Sequence, residues 1–197
     1  MSTFFTADSH LGHANIMHYC KRPFNTVYEM NETLISNWNS VVKTSDTVYH
    51  LGDFCFGNPY DYLPRLTGNI IFVLGNHDKP IRQIFPINDL PFKRVVSING
   101  QCIVLSHFAM RVWDKSHFNA WHLYGHSHNT LPTLGKSFDV GVDAWNFYPI
   151  SFEQVKQQMS IQPDNPNWVM KLPGFNKDEY NKECKKENGE PINRNYV

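Results

Sequence analysis

Apolar and polar positions along this chain keep two rhythms. Three apolar runs rich in β-branched and aromatic residues, "STFFTA" (2–7), "DTVYHL" (46–51) and "NIIFVL" (69–74), read as short buried strands. "RVVSINGQCIVLSH" (94–107) holds two more, split by Asn99-Gly100, a strong hairpin signal. "AWHLYG" (120–125) and "SFDVGV" (137–142) complete the strand-like set. Between them the rhythm lengthens. In "VYEMNETLISNWNSVV" (27–42), Leu34, Ile35, Trp38, Val41 and Val42 recur at three-to-four spacing and predict one apolar helix face. "NPYDYLPRL" (58–66) is a shorter helical candidate interrupted by proline. "SFEQVKQQM" (151–159) opens with Ser151 and Gln154 at capping-box spacing, with Phe152, Val155 and Met159 on a common face.

Strands alternating with helices, then a hairpin, predict an α/β protein with one mixed sheet or two stacked sheets. The pattern divides the chain into a domain over residues 1–160 and an extension over 161–197. From "QPDNPNW" onward Pro, Asn, Lys and Glu dominate and apolar periodicity is lost, so the extension reads as loosely structured or wrapped on the domain.

Composition narrows the classes. The 197 residues carry 18 basic and 18 acidic side chains, a balance that does not favour long nucleic acid as a partner, although a local basic patch stays open. No apolar run is long enough to span a bilayer, so no membrane partner is expected. Cys20, Cys55, Cys102 and Cys184 are scattered and form no C-x-x-C pair, which suits reduced thiols. With no basic-then-apolar leader before "TADSH", the expected location is the cytoplasm. Oligomeric state is left open.

Ten histidines are the unusual entry in this composition, and their placement is not random. Asp8 and His10 follow the first predicted strand, in "TADSHLGH". Asp53 follows the second, in "HLGDF", and Asn76, His77 and Asp78 follow the third, in "LGNHD". His107 ends the hairpin run; His126 and His128 end the next strand, in "YGHSH". Ligands gather at the C-terminal ends of strands in open α/β sheets, so parallel strands would bring these distant residues to one rim. Two divalent ions roughly 3.5–4 Å apart need such a set, with one carboxylate shared. Mixed imidazole, carboxylate and amide donors suit Mn²⁺ first, with Fe, Zn, Ni or Mg as alternatives. Gly52, Gly75 and Gly125 each precede a predicted ligand, where the backbone is expected to turn sharply out of its strand.

In this order, D-S-H, G-D, G-N-H-D, a lone His and G-H-S-H resemble the calcineurin-like metallophosphoesterases, over about Thr3 to Ser151. The opening "DSHLGHANIMHYCKRPF" is similar to a compact bacterial and bacteriophage subgroup. The resemblance implies an αββα sandwich of two mixed sheets flanked by helices. It implies that Asp8, His10, Asp53 and His128 hold a first metal, and that Asp53, Asn76, His107 and His126 hold a second. It makes His77 the catalytic histidine, with Asp78 orienting it or fixing the loop. The implied reaction is phosphoester hydrolysis by a metal-bridging hydroxide, with a small phosphodiester as the first choice of substrate. A phosphomonoesterase or protein phosphatase, a DNA or RNA nuclease, and a non-catalytic protein-binding scaffold are the alternatives. His13, Arg22 and Arg111 are candidates to hold substrate, each with a structural role as its rival. Trp113, Trp145 and Tyr148 read first as packing and second as platforms for a base.

Overall fold

The computed structural model describes residues 1–171 together with 174 and 176. The strands form where the apolar runs lie. β1 (Thr3–Thr6), β2 (Thr47–His50) and β3 (Asn69–Phe72) pair in parallel, and a two-residue strand, β8 (Ile150–Ser151), pairs antiparallel with β1, giving the order β3-β2-β1-β8. The second sheet runs β4-β5-β6-β7, from β4 (Lys93–Ile98), β5 (Gln101–Ser106), β6 (Trp121–Tyr124) and β7 (Ser137–Asp139). Its first pair is antiparallel and the other two are parallel. Asn99 (φ +50°) and Gly100 (φ +80°) make the β4–β5 turn with positive φ at both central residues, the geometry that matches strand twist.

The two sheets face each other across one dry core. Phe5 from β1, Ile103 and Leu105 from β5, Leu123 from β6 and Phe138 from β7 meet there with 0–3% exposure, enough to exclude water from the interface. Fully burying side chains of this size stabilises by roughly 1.5–3 kcal/mol each. The mixed double-sheet architecture expected from the sequence is therefore the architecture found.

Among the described residues four α-helices flank the sheets: α1 (Ile16–Tyr19), α2 (Val27–Val41), α3 (Lys79–Ile84) and α4 (Phe152–Ile161). In α2 the predicted stripe is buried at Leu34, Ile35 and Trp38, and Thr26 caps its start by accepting the Glu29 N–H at 3.1 Å. The capping box of α4 is present in full, with Ser151 and Gln154 exchanging hydrogen bonds. Phe152, Val155 and Met159 of α4 enter the inter-sheet core. The outer face of the second sheet is covered by the 108–120 segment, whose Trp113 packs on Val104 and Ala120.

One expectation shifts. "NPYDYLPRL" forms two 3₁₀ turns, Pro59–Asp61 and Leu63–Arg65, because Pro64 lacks the N–H that would carry an α-helix onward. β8 is too short for a period to show. In the 161–197 extension, Asn165 is 3% exposed and its side-chain amide donates to the carbonyls of Ser116 and Ala120 at 3.0 and 2.9 Å, so chain just past α4 is tied down. The charged stretch 177–190 lies outside the described residues. Among the described residues no helix is long and apolar enough to cross a membrane.

Candidate metal centre

Parallel strands deliver their C-terminal ends to one rim, and the loops there are stitched together by backbone. Asp8 N–H donates to Gly52 O at 3.0 Å, His10 N–H to Asp53 O at 3.0 Å and Gly125 N–H to His107 O at 3.0 Å. Ala7 and Gly141 form an isolated parallel bridge that joins the first sheet to the chain leaving β7. Side chains from six loops thereby converge.

Asp53 sits at the centre. Its Oδ2 lies 3.6 Å from His10 Nε2 and 3.4 Å from His107 Nε2, the place a shared carboxylate must take. One group of ligand atoms comes from Asp8, His10 and His128 and another from Asp53, His107 and His126, each mutually within 4.8 Å. Asn76 Oδ1 is 3.0 Å from His107 Nε2. All seven predicted ligands are thus brought together, five of them in the left-handed backbone region: Asp8 (φ +58°), His10 (+48°), Asp53 (+57°), His126 (+64°) and His128 (+45°). That conformation costs roughly 1–2 kcal/mol per residue, less for Asp.

Two observations fit a cation pair. Asp8 Oδ1 and both ring nitrogens of His10 are buried without a hydrogen-bond partner, which is rare for polar atoms. His107 Nδ1–H donates to Leu51 O at 2.8 Å, turning the lone pair of Nε2 toward the oxygens of Asn76 and Asp53. Converging acceptors repel one another unless positive charge lies between them. The proton equilibria tell the same story. Burial pushes the Asp8 carboxyl up to about 7, against the pull of His107 and His128. Burial drives His10 down to about 3 despite Asp53. Burial also works against the Asp53 charge, yet a proton taken up on His107 Nε2 supplies the positive charge these acceptors call for and brings Asp53 down to about 2.

The glycines before the ligands have separate reasons. Gly52 has φ +96°, as a sharp exit from the strand requires. Gly125 has no positive φ; there a β-carbon would lie 2.5 Å from Ala7 Cβ and 2.6 Å from Asp8 Oδ2, so the requirement is space.

The catalytic candidates separate. His77 is exposed at the mouth, its N–H donating to Asp53 Oδ1 at 2.8 Å and its ring 5.9 Å from that of His10. Asp78 is buried and turned the other way. Its carboxylate accepts the N–H groups of Asp53, Phe54 and Gly75 at 2.7–2.9 Å. Of its two expected roles, Asp78 takes that of fixing the loop.

The substrate candidates separate as well. His13 lines the cleft, stacked on Phe56 at 3.9 Å. Arg111 is exposed and is not among the residues that line it. Arg22 must be corrected: it is 4% exposed and its guanidinium binds Asp143 through Nε and Nη2, both at 2.8 Å. A planar fork matches a carboxylate best where water is excluded, and no donor is left to point into the cleft. Trp113 is buried with Nε1–H on Ala120 O at 2.9 Å, a packing role.

Sequence reasoning passed over Asp139 and Asp143. Asp139 Oδ2 accepts from Ser127 Oγ at 2.5 Å and Asn129 N–H at 3.0 Å, holding the G-H-S-H turn. Asp143 Oδ2 accepts from His128 Nδ1 at 2.7 Å. Burial opposes a charged His128, but the Asp143 bond and the contacts of Cys20 and Asp8 lift it to about 10. Asp139 ends β7 and Asp143 follows it in "SFDVGVDAW", so the strand-end logic that found the ligands applies to them too. Cys20, His128 and Asp143 form a third cluster, yet Arg22 already occupies that carboxylate and repels a cation.

Above this floor lies a cleft of about 720 Å³. Its walls include Ile16, Tyr19, Phe56 and Leu131, and among the described residues its lining contains no lysine or arginine.

Comparison with known proteins places this geometry. The family model described as "Calcineurin-like phosphoesterase superfamily domain" matches residues 1–149. The uncharacterized protein MJ1445 of Methanocaldococcus jannaschii is 36% identical over 164 residues, spanning 77% of this chain and 88% of that protein. The Gene 66 protein of Mycobacterium phage L5 is 28% identical over 187 residues, spanning 73% of this chain and 87% of the phage protein. Among solved structures, the protein of unknown function AQ665 from Aquifex aeolicus shares the fold with a TM-score of 0.62 and 24% identity, covering 80% of this chain and 98% of that one.

Proposed function

Because the chain belongs to the calcineurin-like phosphoesterase superfamily, we propose that it is a two-metal hydrolase of small phosphodiesters. The observation that carries this reading is the placement of Asp53 Oδ2 between His10 and His107, with Asp8 Oδ1 and the His10 nitrogens unpartnered beside it. Asp8, His10, Asp53 and His128 would hold one ion, and Asp53, Asn76, His107 and His126 the other, Mn²⁺ being the best match to the donor set. Such ions, when bound, supply positive charge to a phosphoryl group and lower the pKa of coordinated water toward neutrality.

The chain's own residues do the rest. Asp78 fixes the backbone from which Asn76 and His77 project. His77, held by its N–H to Asp53, stands at the cleft mouth, where its ring can give a proton to the departing oxygen. A diester brings one negative charge and two organic groups. The charged floor and the apolar wall of Ile16, Tyr19, Phe56 and Leu131 suit it better than a dianionic monoester. Among the described residues the lining carries no Lys or Arg, which favours a substrate with a single phosphoryl group over a polynucleotide, whose flanking phosphates need basic partners.

The test is a substrate screen on metal-free protein reloaded with Mn²⁺, Fe²⁺, Zn²⁺, Ni²⁺ or Mg²⁺. Metal-dependent hydrolysis of bis-(p-nitrophenyl) phosphate above p-nitrophenyl phosphate is the expected result. A preference for the monoester would turn the reading to a phosphomonoesterase. No hydrolysis of either ester by the loaded protein would overturn it.

A further inference from the structure

The two-metal reading gives no task to the most enclosed arginine–carboxylate pair among the described residues, Arg22 with Asp143. We propose that Arg22 and Asp143 are positioning residues that hold His128 in the ring orientation and tautomer able to bind the first ion; the inference rests on the two-metal reading above.

The geometry is a clasp across two sheets. Arg22 Nε and Nη2 each donate to a different oxygen of Asp143 at 2.8 Å. Nη2 also donates to Asp8 O at 2.7 Å, and Nη1 to Ser9 O at 3.1 Å. One guanidinium therefore ties the loop after β1, which carries Asp8 and His10, to the turn after β7, which carries Asp143. The side chains of Arg22 and Asp143 are 0% and 8% exposed, so water does not compete. Asp143 Oδ2 then takes the Nδ1–H of His128 at 2.7 Å. With Nδ1 committed as a donor, Nε2 is the nitrogen left to hold an ion. Metal-binding histidines commonly have their second nitrogen fixed in this way, and removing the partner costs roughly 10–100-fold in affinity.

Each link has a distinct chemical duty. Asp143 selects the tautomer: an amide in its place can present N–H to Nδ1, which moves the imidazole proton to Nε2 and blocks ligation. Arg22 neutralises Asp143, fills both its oxygens and so keeps it from competing as a ligand. Neither Arg22 nor Asp143 bonds His126 directly; its N–H donates to Asp8 Oδ2 at 2.8 Å. Losing the clasp should therefore injure one site and spare the other.

The experiment titrates Mn²⁺ into metal-free full-length protein by calorimetry, comparing wild type with Asp143→Asn and Arg22→Lys. Wild type should bind two ions. Asp143→Asn should weaken one site by roughly 10–100-fold and leave the other within about 3-fold. Long-range ¹H–¹⁵N spectra of Zn²⁺-loaded wild type should show His128 protonated at Nδ1 and metal-bound at Nε2, a readout that needs no variant to fold. Affinities unchanged from wild type at both sites in folded Asp143→Asn, or an ion on Nδ1 in wild type, would overturn the proposal. Wild type that binds no ion would remove the two-metal reading itself, and this inference with it.

Discussion

The carboxylate of Asp78 accepts the backbone N–H of Asp53 at 2.9 Å, so a residue two positions past Asn76 holds the loop of the central carboxylate from behind. The same group accepts Phe54 N–H and Gly75 N–H, joining the turns after β2 and β3. Asp78→Ala would leave three buried donors without an acceptor, at about 1–3 kcal/mol for a single unsatisfied group. Urea unfolding of the metal-free protein should show a loss of about 3 kcal/mol or more, with Asp78→Asn losing less. An unchanged midpoint would mean that these donors find other partners.

Removing Arg22 should be costly for a different reason. Arg22→Ala would leave Asp143 as a buried charge with only His128 to face it, and breaking a buried pair from one side costs roughly 3–5 kcal/mol. Thermal denaturation of Arg22→Ala beside Arg111→Ala makes the contrast, since Arg111 is exposed and should shift the midpoint little.

Gly125→Ala should couple stability to ion binding. The added β-carbon would meet Ala7 Cβ and Asp8 Oδ2 at 2.5 and 2.6 Å, so either the turn or the Asp8 carboxylate must move. Overpacking of this kind costs about 1–3 kcal/mol. Mn²⁺ affinity should fall alongside the melting temperature, and a fall in melting temperature alone would show that the turn, not Asp8, had yielded.

His122 gives the protein an acid-sensitive point away from the rim. Its Nδ1–H donates to Val104 O at 3.0 Å and its Nε2 accepts Met110 N–H at 3.1 Å, so the ring is held neutral. Burial lowers its pKa from 6.5 to about 4. A depressed histidine binds its proton in the unfolded chain first. Stability is therefore complete above pH 6.5 and declines as pH falls toward 4, by on the order of 3 kcal/mol. Stability measured against pH should be flatter over that window in His122→Gln than in wild type.

His77→Ala should separate chemistry from ion binding. The His77 backbone, not its ring, holds Asp53 Oδ1, so Mn²⁺ stoichiometry should stay at two. Loss of a general acid lowers kcat by about 10²–10⁴-fold. If kcat stays within a few-fold of wild type on an activated and an unactivated diester alike, His77 is not the acid.

The rim was legible in the sequence because strand ends announce themselves. Gly-Asp, Gly-Asn-His-Asp and Gly-His-Ser-His interrupt apolar runs with donors that have no place in a core. The supports behind that rim were harder to see. Arg22 looks like any surface arginine until the loop from β1 folds over it, and its partner lies 121 residues away. His50, with no motif to mark it, is fully buried against Ser9 Oγ at 2.8 Å, a contact only the pairing of β1 with β2 creates. β8 owes its existence to β1 rather than to its two residues. Sequence shows which side chains carry chemistry; it conceals the long-range partners that aim them.

The left-handed backbone at Asp8, His10, Asp53, His126 and His128 sets survival of the fold against its use. Glycine at any of the five would relax the main chain and delete a donor in one stroke. Selection for heat tolerance alone would then drift toward an inert, sturdier descendant. A lineage that has given up ion binding should bear glycines there as its scar.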